Sequence, residues 1–170
     1  GILKNNTKLT PEKILELIAK KPEITVVQNS DQPQVLIFST HTTEGFETYD
    51  RSHYDKSVNT RTQVRSKSIC AVAKHITKTL NEAGIKTLHL DGIYDEPSYN
   101  GAYAASRKDV LAALKQYPSI KVCLDIHRDA IQYSDGTKVK PVASINGRKA
   151  AQIMIISGCD DGTMDTGLTL

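Results

Sequence analysis

His41-Thr42-Thr43-Glu44 sets an imidazole and a carboxylate three residues apart, just after the apolar run Val35-Leu36-Ile37-Phe38. His127 follows a second apolar segment, in which Ile120, Val122, Leu124 and Ile126 alternate with Lys121, Cys123 and Asp125. Two histidines and one glutamate form a zinc donor set that leaves a fourth tetrahedral position for water. Zinc lowers the pKa of such a water to about 7 and polarises a scissile carbonyl, which are the two needs of amide hydrolysis. By spacing alone, the same residues also suit ordinary loop histidines beside a solvated glutamate, because short motifs arise by chance.

The neighbours of His127 extend the metal reading. Asp125 and Asp129 are carboxylates that could orient a metal-bound imidazole through its other ring nitrogen. Arg128 could hold a substrate carboxylate bidentately, or pair with Asp129 instead. His89, late in an apolar stretch, is a candidate substrate contact. His53 lies in a polar loop within possible reach, and His75 falls on the polar side of a helix as a surface residue.

The elements that must position these groups are legible from periodicity. Thr10-Pro11-Glu12 opens a helix with a capping hydroxyl and a proline at its first position; Ile14, Leu15, Leu17 and Ile18 line one side. Val35 to Phe38 reads as a buried parallel strand. A long polar loop from Glu44 to Arg65 precedes a helix marked by Ile69, Val72, Ala73, Ile76, Leu80 and Ala83, which Gly84 stops. A strand over Ile85 to Leu90, a polar loop, a helix over about 103–117 and a strand over 120–126 follow. Asn146-Gly147 signals a hairpin, or a tight turn before Lys149 to Ser157. This alternation predicts an α/β fold with a mainly parallel sheet flanked by helices. In such sheets ligands gather beyond the carboxyl ends of the strands, and His41, Glu44 and His127 all fall there.

The bulk numbers fit one domain with a real core: 170 residues, 39% hydrophobic and 24% charged. A net charge of +3 with dispersed basic residues suits an anionic polymer such as a cell wall and argues against nucleic acid. The absence of Trp removes the best stacking platform for single strands. Cys70, Cys123 and Cys159 share no paired spacing and read as small buried residues. No signal-peptide or membrane-spanning run is present in the chain. Residues 1–32 read as a helical lead-in and 33–170 as the catalytic domain.

Three stretches carry a family resemblance. Val35 to Glu44, then Asp95-Glu96-Pro97-Ser98-Tyr99 with Tyr103 and Ser106, then Leu124-Asp125-Ile126-His127-Arg128-Asp129-Ala130 resemble the stage II sporulation protein P (SpoIIP) family, in the right order. Gln152 to Gly158 resembles the family's following strand, so the likeness spans roughly residues 33 to 160. It implies a phosphorylase/hydrolase-like α/β fold and a zinc N-acetylmuramoyl-L-alanine amidase that also cleaves peptide cross-links. It further implies action on peptidoglycan during forespore engulfment, beside a SpoIID-like lytic transglycosylase and a SpoIIM-like membrane protein. The place implied is extracytoplasmic, between mother cell and forespore, with a membrane anchor outside this chain.

Carried over, His41 and His127 match the family's ligand histidines. Related amidases take their glutamate from the start of the following helix, but Gln63 and Arg65 occupy that neighbourhood and no Glu precedes Glu82 there, which favours Glu44. The family pattern has a histidine where Ser39 stands. Its catalytic glutamate lies on a late strand, whereas this chain has no Glu after Glu96. The expectation is a chain that ends before its last strand and helix, binds zinc and hydrolyses peptidoglycan poorly. Two other readings stay open: a zinc carboxypeptidase-like peptidase, with Arg128 on a terminal carboxylate, and a wall-binding or complex-forming module without catalysis.

Overall fold

The computed structural model describes residues 2–21, 23–49, 51, 53–55 and 57–157. The chain divides into two compact units, Ile24–Val139 and a second made of Gly1–Glu23 with Lys140–Leu170. The first unit carries all the residues singled out above for chemistry.

Its frame is a three-stranded parallel sheet, β1 (Val35–Phe38), β2 (Thr87–His89) and β3 (Val122–Asp125), in the order β2-β1-β3. Helices of this unit are numbered after α1 (Pro11–Ala19) of the other: α2 (Ile69–Glu82) joins β1 to β2, and α3 (Ala102–Gln116) joins β2 to β3. Strand register runs Val35 opposite Thr87 on one side and Val122 on the other, out to Phe38 opposite Asp125. The chain steps one way from β1 to β2, then crosses back over β1 to reach β3. Order therefore reverses between β1 and β3, and such a switch point opens a crevice at the carboxyl ends of those two strands.

Central placement explains the unbroken apolar run of β1. Val35 and Ile37 pack against Ala73 of α2, with Ile76, Leu80, Ile85, Val122 and Ile126 around them. Leu36, on the opposite face, is also fully buried. A strand covered on both faces has no polar positions to offer. Among the described residues β3 is at the edge of the sheet, and there Cys123 and Leu124 are exposed. The expectation of a buried Cys123 is therefore corrected: it is exposed on an edge strand, whereas Cys70 in α2 is buried as expected. Cys159 lies outside the described residues.

Helix α2 starts where Ser68 caps it, its hydroxyl accepting from the Cys70 N–H at 3.3 Å. It stops at Gly84, whose φ of +79° is the left-handed turn a glycine accepts without strain. A side chain there would also meet Asn29 Oδ1 at 2.7 Å. Because Ser68 is buried, Ser68→Ala is expected to lower stability by about 1 kcal/mol, read as a shifted urea midpoint at constant m-value.

In the second unit, Thr10 caps α1 by accepting from the Lys13 N–H, and Pro11 begins the helix. The expected hairpin is present: β6 (Val142–Ile145) and β7 (Arg148–Ala151) pair antiparallel around Asn146 and Gly147, both at positive φ. Residues 152–157, expected as a strand, form none, and Ile153, Ile155 and Ile156 stand more than four-fifths exposed. No ladder partner lies beside them among the described residues, and a strand exists only through its pairing. A short hairpin of β4 (Ile131–Gln132) and β5 (Lys138–Val139) in the first unit turns at Asp135-Gly136, a turn dipeptide absent from the sequence expectations, with Gly136 at φ +87°. Among the described residues no helix is long and apolar enough to cross a membrane.

Candidate functional site

His41, Glu44 and His127 meet beyond the carboxyl ends of β1 and β3. β1 ends at Phe38, and the next turn carries Thr40 to Glu44, all of them buried. Three kinds of anchor hold this turn. Its backbone bonds to the long polar loop and to the start of α2: Gly45 N–H donates to Thr60 O, Thr62 N–H to Thr43 O, and Ile69 N–H to Glu44 O. Its side chains converge on Asp95, which accepts from Thr42 Oγ1 and Thr43 Oγ1, each at 2.7 Å, and from Thr43 N–H. Thr40 N–H donates to Asp125 Oδ1 at 2.8 Å, tying the end of β1 to the end of β3.

Asp95 is a buried carboxylate, and Arg61 also donates to its Oδ2 at 2.8 Å. Burial pushes its pKa up, but the hydrogen bonds from Thr43 and Thr42 outweigh that and hold the carboxyl below its usual range. The stretch from Glu44 to Arg65 is thus no idle loop. It packs its far end, Thr60 to Thr62, under the histidine-bearing turn.

His127 sits between two carboxylates. Its Nε2 lies 3.0 Å from Asp125 Oδ2, and its Nδ1 3.6 Å from Glu44 Oε1. The Asp125 and Glu44 partners raise its pKa to about 10 against the opposing effect of burial. The imidazole alone thus supplies the positive charge that the two carboxylates favour. Glu44 Oε2 is held by the Arg128 backbone N–H at 2.8 Å.

The His41 ring is 4% exposed, and burial lowers its pKa despite the raising influence of Glu44. Its centroid is 5.3 Å from that of His127. Its Nδ1 is buried with no hydrogen-bond partner. A buried unpartnered nitrogen costs free energy unless something absent from the protein alone engages it.

The other expected residues are placed as follows. Asp125 stands against His127, as a carboxylate orienting an imidazole would. Asp129 turns to its own loop and accepts from the Ala130 N–H. The Arg128 guanidinium donates to two backbone carbonyls, Gly45 O at 2.8 Å and Thr60 O at 3.0 Å, clamping the far loop to the end of β3. His89 is half-buried at the end of β2, where burial lowers its pKa and its charged neighbours are Asp91, Arg65 and Lys74. His53 and His75 are exposed.

In the sequence Asp95, Tyr99 and Tyr103 carry only the family likeness and Arg61 carries no signal; their place around the His41 turn comes from the structure. Tyr99 stacks on His41, and Tyr103 meets it edge-on. The contacts of Tyr99 and Tyr103 with His41 span 58 and 62 residues and those of Arg61 with Thr43 and Asp95 span 18 and 34, separations that no periodicity signals.

Two imidazoles and a carboxylate suit zinc in donor chemistry, and the unpartnered His41 Nδ1 suits a missing cation. As the side chains stand, no three His, Cys, Asp or Glu residues form a ready metal cage among the described residues. A metal at His127 Nδ1 would compete with a proton there, which Asp125 and Glu44 both favour.

No curated protein and no solved structure matches the chain significantly. The family description Stage II sporulation protein P (SpoIIP) matches residues 3–168, which is nearly the whole chain. The three stretches that meet around His41 and His127 therefore sit within a whole-chain likeness: the chain belongs to the stage II sporulation protein P family, and its role is that of a sporulation-related peptidoglycan hydrolase.

Proposed function

We propose that this protein is a zinc-dependent N-acetylmuramoyl-L-alanine amidase, with a capacity to cleave peptide cross-links as well. The observation that carries the reading is the meeting of His41, Glu44 and His127 at the switch point of the sheet, with one buried His41 nitrogen left unpartnered. Zinc, when bound, supplies a lowered water pKa and a polarised scissile carbonyl.

The chain's own groups do the rest. Asp125 accepts the Nε2 proton of His127, which leaves Nδ1 as the nitrogen available to a metal. The Arg128 N–H holds Glu44 Oε2 and leaves Oε1 beside His127. Asp95, through Thr42 and Thr43, fixes the turn between His41 and Glu44, so that both donors keep one spacing. Most of the turn is shielded from water, where each of these electrostatic contacts is stronger than in solvent.

Family membership supports peptidoglycan as substrate, in the space between mother cell and forespore. It also supports a membrane-anchored parent, a SpoIID-like lytic transglycosylase that opens glycan strands and a SpoIIM-like membrane protein as partners. A carboxypeptidase-like reading would need Arg128 for a terminal carboxylate. Its Nε and Nη2 donate to Gly45 and Thr60 carbonyls instead, which favours the amidase.

Product analysis tests the reading. Incubated with zinc and purified muropeptides, the protein is expected to release stem peptides bearing new L-alanine amino termini, slowly because no Glu after Glu96 is present to serve as general base, to stop with a chelator and to resume with added zinc. Release of single carboxyl-terminal amino acids, or of cleaved glycan alone, would overturn it.

A further inference from the structure

The two ligand histidines of the proposed centre are held by different means, and only one of them is held by a hydrogen bond. Asp125 orients His127 through Nε2. Among the described residues no side-chain hydrogen bond orients His41, and its buried Nδ1 is without a partner. Metal-ligating imidazoles ordinarily donate their second nitrogen to a carboxylate, carbonyl or water, which fixes the plane of the ring. Something else must fix it here.

The candidate is an aromatic layer. The Tyr99 ring lies 4.2 Å from His41, centroid to centroid, and 8° from parallel. On Tyr99 the Arg61 guanidinium carbon sits 4.6 Å from the ring centroid. Arg61 is itself tied to the turn that carries His41, since its Nη1 donates to Thr43 Oγ1 at 3.1 Å and to Asp95 Oδ2 at 2.8 Å. Tyr103 meets His41 at 84°, centroids 5.2 Å apart. The imidazole thus has one ring along its face and another across it.

We propose that Tyr99 is a positioning residue for His41, its ring setting the imidazole plane in place of a hydrogen bond, with Arg61 holding Tyr99 from behind. The proposal rests on the zinc reading above. Face stacking suits the task because it restrains rotation of the ring while leaving the in-plane nitrogens free for a metal. Arg61 suits its part because a planar guanidinium can stack and donate sideways at once, which a lysine cannot. From its place opposite the turn, the Arg61 side chain reaches Thr43, Asp95 and Tyr99 together.

Tyr99→Phe and Tyr99→Ala separate this role from a merely structural one, because Tyr99 is exposed and its removal leaves no core cavity. Zinc affinity is measured by competition with a chromophoric chelator. Tyr99→Phe is expected to match the parent within about twofold, and Tyr99→Ala to bind roughly 10–100-fold more weakly, the range for lost orienting partners of a ligand. Thermal midpoints should stay close to the parent's. Arg61→Lys gives a smaller loss of the same kind.

A second measurement needs no metal: in the metal-free protein, side-chain NMR of His41 should show one ring orientation in the parent and Tyr99→Phe, and rotamer averaging in Tyr99→Ala. Unchanged zinc affinity in Tyr99→Ala, or a His41 ring that stays singly ordered there, overturns the proposal. A parent that binds no zinc sinks the zinc reading instead, and the NMR comparison then decides the positioning role alone.

Discussion

Replacing either proposed zinc ligand, His41 or His127, with alanine is expected to take bound zinc from stoichiometric to a small fraction, and to lower amide cleavage roughly 10²–10³-fold, the scale of losing one dominant transition-state stabiliser. The two variants are not equivalent. His41→Ala removes a buried ring whose Nδ1 has no protein partner, so that nitrogen's desolvation cost disappears while a cavity is created beneath Tyr99. His127→Ala removes the positive charge between Asp125 and Glu44 and leaves two carboxylates facing one another. Its metal-free form should therefore be the less stable of the two at neutral pH. His75→Ala and His53→Ala, at exposed positions, are the controls and should keep both zinc and activity. Metal analysis, product release and denaturant midpoints of the four variants provide the comparison. Retained zinc in His41→Ala or His127→Ala would show that the metal, if any, binds elsewhere.

Asp95→Ala is expected to cost more stability than any other single change near the site, roughly 3–5 kcal/mol, the range for breaking a buried pair from one side. Asp95 is 5% exposed and accepts from two threonine hydroxyls, one backbone N–H and Arg61. Arg61 is partly exposed and can return to water. The threonine hydroxyls and the Thr43 N–H are buried and cannot, and each unsatisfied group costs about 1–3 kcal/mol. A thermal midpoint lowered by roughly 10 °C follows for a domain of this size.

The same carboxyl gives a pH dependence of known sign. Its folded pKa lies below the unfolded value of about 3.9, so its contribution is complete above that pH and is lost as pH falls towards the lower, folded value. Asp95→Asn keeps the shape without the charge and should lack this acid limb while remaining less stable at neutral pH. A variant as stable as the parent would show that the threonines find other partners, and that Asp95 does not hold the turn.

What the sequence makes legible is whatever depends on local pattern. The apolar run Val35 to Phe38 became the central strand because burial on both faces demands such a run. Ser68 and Gly84 punctuate α2 because a cap and a left-handed stop are single-residue signals. His41, Glu44 and His127 could be brought to one crevice on paper because parallel strands deliver their carboxyl ends to one edge.

Contacts between distant loops are another matter. Asp95 reaches back some 50 residues to Thr42 and Thr43, and Arg61 bridges the two, through side chains whose types are common in any polar loop. From sequence Arg128 reads as a substrate anchor or as a partner of Asp129, and its guanidinium instead donates to the Gly45 and Thr60 carbonyls, which come from a distant loop. Cys123 read as buried because its neighbours are apolar, but an edge strand exposes what a central one hides. Alternation tells which face a residue takes, and only topology tells what covers that face.

The central claim is that one zinc ion binds at His41, Glu44 and His127. Its most direct test is anomalous scattering above and below the zinc edge, from crystals of the protein grown with zinc. The account predicts a single strong peak bonded to Nδ1 of both histidines and to a Glu44 carboxylate oxygen, with Asp125 still on His127 Nε2. A crevice without a peak, or a peak held by other residues while His41 and His127 stay as they are, would contradict it.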